Sequence, residues 1–162
     1  MSGLPALNEE DQSCFTLVLD TFLTQSKALR VLLLEQAGYI IQQAGRNPEL
    51  DTEEFAALAS NAFNAIERLS TCLEEPDFKV LHQRGGIHQT GIFRIDGSSL
   101  LVSVFPAEIS LEAIESKAAT AVAQISDQLE RARDRMPNVS VDLADHNPHS
   151  VETVLFKRKP SA

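Results

Sequence analysis

FKVLHQRGGIHQTGIFRIDGSSLLVSVF, residues 78–105, reads as three β-strands joined by two tight turns. The first strand runs from Phe78 to Arg84 and reaches Gly85-Gly86; the second runs from His88 to Ile95 and reaches Asp96-Gly97. Ser99 to Phe105 completes the meander. Asp-Gly between two β-rich runs is a strong hairpin signal, because the turn asks for positive φ at its central residues. Upstream, Asp51-Thr52-Glu53-Glu54 opens a long helix that runs to about Leu73 and is ended by Pro76. Its apolar residues Phe55, Leu58, Ala59, Ala62, Ile66, Leu69 and Leu73 recur at helical spacing and predict the buried face. The opposite face carries Ala57, Ser60, Asn61, Asn64, Glu67, Arg68 and Thr71, polar but rich in small side chains that allow another backbone to approach.

Further outward the same rules apply. Leu29 to Glu35 (LRVLLLE) is too short and too evenly apolar for a surface helix, and predicts a strand buried on both faces. After a turn at Gln36-Ala37-Gly38, Tyr39-Ile40-Ile41-Gln42 returns as its partner, and Gly45-Arg46-Asn47-Pro48 breaks the chain. Asn8 is a good N-cap for a helix from Glu9 to Gln25, with Glu9, Glu10 and Asp11 at the positive end of its dipole. Beyond Pro106, a last helix spans Ser110 to Arg135, its buried stripe running from Leu111 and Ile114 to Leu129, and Met136-Pro137 stops it. Residues 138–162 change character and predict a flexible tail. Within that tail Val151, Val154, Leu155 and Phe156 form an apolar patch, either a docking segment or a frayed end. The expected division is therefore a domain over residues 1–137 and a tail over 138–162.

The 162 residues amount to one domain, and 43% hydrophobic with 23% charged residues is an ordinary globular composition. The net charge is −9, and Asp142, Asp145 and Glu152 balance Lys157, Arg158 and Lys159, so all of it lies on residues 1–137. Such a chain lacks the cationic surface that displaces counterions from DNA or RNA, and an anionic membrane repels it too. No nucleic-acid partner and no membrane insertion are expected. Cys14 and Cys72 sit in apolar helical contexts without a CxxC spacing, so they read as reduced core thiols in a cytoplasmic protein.

A convergent chemical site is not legible. GxxxxGK[ST], GxGxxG, GxSxG and HExxH are all absent. His82 and His88 flank a turn and are able to approach each other; His146 and His149, with Asp142 and Asp145, have the spacing of a weak metal site but sit in the tail. Cys72 lacks a nearby activator, and a buried thiol is the simpler reading than a nucleophile. Neither a catalytic residue nor a cofactor or metal is expected, and a protein-binding role follows by default.

The order helix, two strands, long helix, three-strand meander, helix resembles the roadblock domain family. The likeness is carried by Val31-Leu32-Leu33-Leu34 with Gly38-Tyr39-Ile40-Ile41, Asp51-Thr52 with Leu58-Ala59-Ser60-Asn61, Leu81-His82-Gln83-x-Gly85, and Leu100 to Phe105 with Ser110-Leu111. Within that family it is most similar to the bacterial MglB type. The resemblance implies an α/β sandwich: a five-stranded antiparallel sheet with the long central helix on one face and two helices on the other. It implies a homodimer joined through the third strand (Phe78, Val80, His82, Arg84) and the central helices. It also implies a Ras-like small GTPase of the MglA type as partner, hydrolysis stimulated without a donated catalytic residue, and recruitment to a cell pole. The docking face carried over is Ala57, Ser60, Asn61, Asn64, Glu67, Arg68 and Thr71. The apolar patch of the tail at Val151, Val154, Leu155 and Phe156 is a second candidate contact. Asn64 and Arg68 depart from the small residues of the MglB type, and Arg68 is placed where an arginine reaches toward a docked GTPase. A roadblock-fold scaffold or adaptor with no effect on hydrolysis is the alternative.

Overall fold

Three local signals start the helices. Asn8 accepts from the Asp11 N–H at 2.9 Å while the Asp11 carboxylate accepts from the Asn8 N–H at 2.8 Å, a reciprocal capping box. The Asp51 side chain accepts from Glu54 N and the Ser110 side chain from Ala113 N. The computed structural model describes residues 3–135, which form α1 (Glu9–Ser26), β1 (Arg30–Glu35), β2 (Ile40–Gly45), α2 (Thr52–Cys72), β3 (Val80–Arg84), β4 (His88–Arg94), β5 (Ser99–Pro106) and α3 (Leu111–Asp134). The tail 138–162, with Val151, Val154, Leu155, Phe156, His146 and His149, lies outside the described residues.

The strands form one antiparallel sheet in the order β2-β1-β5-β4-β3. β1 alternates as a strand covered on both sides must. Val31 and Leu33 enter a core with Phe15, Leu19 and Phe22 of α1 and Ile114, Ile125 and Leu129 of α3. Leu32 and Leu34 enter the second core with Ala56, Ala59 and Phe63 of α2. One face of the sheet thus carries α1 and α3, the other α2 alone. No helix among the described residues is long and apolar enough to cross a membrane.

The strand limits differ from the sequence expectation most at β2 and β3, and by a single residue at one end of β1, β4 and β5. β2 starts at Ile40 and continues to Gly45, because Ala44 and Gly45 still pair with Val31 and Arg30 of β1. It ends there since Gly45 has φ +84° and a Cβ would come within 2.4 Å of the Leu29 carbonyl oxygen. β3 starts at Val80, because Phe78 instead packs its ring on Phe63, centroids 5.0 Å apart.

The larger correction concerns α2. Leu58, Leu69 and Leu73, expected in the core, are 59%, 55% and 66% exposed, and Ala62 is exposed as well. The buried residues are Ala56, Ala59, Ser60 and Phe63. Leu32, Leu34, Ile92, Leu100 and Val102 already fill the space over this face of the sheet, so the helix approaches closely on small side chains and inserts one phenylalanine. The helix is therefore turned by about one residue's rotation from the orientation its leucines suggest. The cysteines are corrected in part: Cys14 is half-buried against the α1–α3 core, where burial pushes its thiol pKa up, whereas Cys72 is exposed. Residues 71–77, the end of α2 and the segment after it, are all exposed.

Candidate protein-binding surface

The β1–β2 turn is fastened to α2. Gly38 has φ +98°, and a Cβ there would stand 3.2 Å from the Ala57 Cα and 3.5 Å from the Ser60 Cβ. The Ser60 hydroxyl donates to the Gln36 carbonyl, and the Asn64 amide donates to the same oxygen at 3.3 Å. In return the Gln36 side-chain amide donates to Asn64 Oδ1 at 3.1 Å and to Glu67 Oε2 at 3.2 Å. Arg94 on β4 donates to the other Glu67 oxygen and, through Nε, to the Phe78 carbonyl at 3.2 Å. Its guanidinium lies 5.2 Å from the centre of the Phe63 ring, within cation–π range.

This network divides the seven residues expected on the docking face. Ser60 is buried at 1% exposure, a correction whose cause is the close approach of the Gly38 turn. Asn64 and Glu67 are half-buried, their polar atoms hydrogen-bonded within the chain. Ala57, Asn61, Arg68 and Thr71 are exposed along one flank of α2.

The outermost face of α2 holds what the sequence reasoning missed. Leu58, Ala62, Ala65, Leu69 and Cys72 are all exposed and lie opposite the buried residues. Their spacing of four, three, four and three is that of a helix–helix seam, and this was the available signal. Such a stripe is mostly small residues flanked by leucines, which suits close contact with a second helix.

Beside it, β3 forms one edge of the sheet. Phe78 and Leu81 pack into the α2-side core, so the edge and the helix are neighbours. Among the residues expected at this edge, Val80 is 37% exposed, Arg84 is exposed and His82 is half-buried, while Phe78 precedes the strand. His82 Nε2 lies 2.8 Å from Gln89 Oε1 across the β3–β4 ladder, so its ring turns to Gln89 rather than His88. Gln89 is itself buried and donates to the carbonyls of Pro106 and Ile109 at 2.9 and 2.6 Å. An exposed strand edge is a ready template for pairing with another chain. Asp11 is buried between α1 and α3, accepting from Gln128 at 2.7 Å and from Arg135. Burial alone would raise its pKa; these hydrogen bonds, that from Asn8 N and the Arg135 charge outweigh it and hold it below the ordinary value.

Comparison of the sequence with family models and with curated proteins returned no match. Solved structures do match. MglB of Myxococcus xanthus superposes with a TM-score of 0.73 at 21% identity, over 78% of this chain and 96% of that one. The gliding protein MglB of Thermus thermophilus gives 0.74 at 18% identity, over 81% and 99%. A roadblock/LC7 domain from Streptomyces avermitilis gives 0.56 at 13% identity, over 73% and 93%. The fold is the roadblock fold, in its MglB-like form. It is the five-stranded antiparallel sheet with α2 on one face and α1 and α3 on the other that the sequence implied. Among the described residues α2 is covered on its inner side only, and its outer stripe and the β3 edge are both open.

Proposed function

We propose that this protein is a homodimeric regulator of a Ras-like small GTPase of the MglA type, acting in the cytoplasm of a bacterium in the control of cell polarity or motility. The observation that carries this reading is the superposition on two MglB structures over about four-fifths of the chain. Two protomers pair through β3 and through the Leu58–Leu69 stripe of α2, which joins two sheets and covers the exposed leucines. The dimer docks on the switch regions of the GTP-bound GTPase through the flank at Ala57, Asn61, Arg68 and Thr71. It supplies no catalytic residue and holds no cofactor; the groups that stabilise phosphoryl transfer come from the GTPase, and the dimer orders them. Residues 1–137 form the regulatory domain, and the 138–162 tail adds a contact through Val151, Val154, Leu155 and Phe156.

Single-turnover GTP hydrolysis by the MglA-like GTPase of the same organism tests the reading. An acceleration of about ten-fold or more, a barrier lowered by about 1.4 kcal/mol, is the expected result. No acceleration with an active GTPase refutes activation. A second reading, an adaptor that binds without affecting hydrolysis, is favoured by one observation: Asn64 and Glu67 spend their polar atoms on Gln36 and Arg94. Co-elution with the GTPase without acceleration would select it.

A further inference from the structure

Three arginines far apart in sequence meet in one cleft. Arg68 on α2, Arg94 on β4 and Arg133 in the last turn of α3 line a space of about 620 Å³, bounded by Gln36 and by Gly97 of the β4–β5 turn. Two carboxylates share it, and both are already engaged. Glu67 takes Arg94 on one oxygen and Gln36 on the other. Asp96 takes Arg133 on Oδ2 at 2.6 Å, and on Oδ1 the Ser98 N–H and the hydroxyls of Ser98 and Ser99. These two acids neutralise two of the three guanidinium groups. Arg68 is exposed and makes no hydrogen bond or ion pair with the described residues. Arg94 and Arg133 direct Nη2 to their carboxylates, and Nη1 of each has no acceptor among the described residues. The cleft therefore holds one surplus positive charge and spare guanidinium donors from three elements, in a chain of net charge −9.

We propose that this cleft binds the phosphate group of a small phosphorylated molecule. Phosphate accepts from several guanidinium forks at once, a geometry a single carboxylate serves less well. The space exceeds what one phosphate fills and falls in the range of small-molecule sites, about 300–1,000 Å³, leaving room for the rest of the ligand. Within a chain this acidic, a local cationic cleft selects its anion by geometry instead of by overall attraction. Arg68 and Thr71 also lie on the proposed docking flank, so a docked GTPase and the ligand would share this surface; phosphate binding by the free chain is read without any partner, so its failure leaves the regulator reading untouched.

The test is an NMR titration of the full chain with sodium phosphate at constant ionic strength, following backbone amides and arginine Nε–H signals. The expected result is saturating shifts at Arg68, at Gly97 and at Arg133 Nε, with acetate giving no saturation. Arg68→Gln removes one charge-assisted contact and should weaken phosphate binding about ten-fold, with Arg68→Lys in between because the charge stays and the fork goes. Arg68 is exposed and has no partner among the described residues, so spectra of both variants should match the parent away from the cleft. Shifts that grow without saturating, acetate binding as well as phosphate, or Arg68→Gln titrating like the parent would each overturn the proposal.

Discussion

Replacing Leu58 and Leu69 together by alanine should separate the dimer without harming the protomer. In the single chain the two residues are 59% and 55% exposed. If burying a whole leucine side chain contributes about 2 kcal/mol, these exposures leave about 1.2 and 1.1 kcal/mol to be gained at an interface. Two-fold symmetry doubles the effect, so the double variant loses about 4.6 kcal/mol, which is roughly three orders of magnitude in the dissociation constant. Sedimentation equilibrium over a dilution series measures it, with circular dichroism as the control for folding. The parent chain should be a dimer at micromolar concentration and the variant a folded monomer. A monomeric parent, or a variant with unchanged dissociation constant, would refute the assignment of the stripe. Loss of helical signal in the variant would refute the orientation of α2 itself.

The other expectations concern charge, docking and the tail. Asp96 would be raised by burial, but hydrogen bonds from Ser99, Arg133 and Ser98, with the Arg133 charge, hold its pKa below the ordinary value. Its contribution to stability is therefore present above about pH 3.9, the unfolded value, and is lost as pH falls through the lower folded pKa. Asp96→Asn should cost about 1–3 kcal/mol in urea unfolding at pH 7, with the gap to the parent closing toward pH 3; an equal gap at both would contradict the assignment. Asn61→Arg with Arg68→Glu, both exposed, should abolish co-elution with the GTPase while dimer mass and thermal midpoint stay unchanged; retained co-elution would move the docking face elsewhere. Deleting residues 138–162 should weaken GTPase binding and leave the dimer intact, and binding unchanged by calorimetry would remove the tail from the interface.

Much of this fold is written locally. Asn8, Asp51 and Ser110 cap their helices through atoms three residues away, so the helix starts were legible without knowledge of the sheet. The turn at Asp96-Gly97 lies where expected, although neither residue takes the positive φ the reading relied on; the unbroken apolar run of β1 was equally plain, and with them the order of elements and its likeness to the roadblock domain. Strand ends were less so: β2 extends to Gly45 only because β1 lies beside it to pair with.

The face of α2 could not be read this way. Its leucines point to one side, and by hydrophobic periodicity alone that side belongs inside. The sheet decides otherwise, because its own leucines, isoleucine and valine already occupy the core and fully bury only alanine, serine and one phenylalanine from the helix, with Phe55 packed partly against them. The same placement buries Ser60 under a turn brought from 24 residues away and gathers Arg68, Arg94 and Arg133 around one cleft. Caps, turns and strand alternation are short-range and fixed by the chain itself. Which stripe faces inward, and which distant charges meet, depends on the volume and hydrogen bonds left over once every other element is in place.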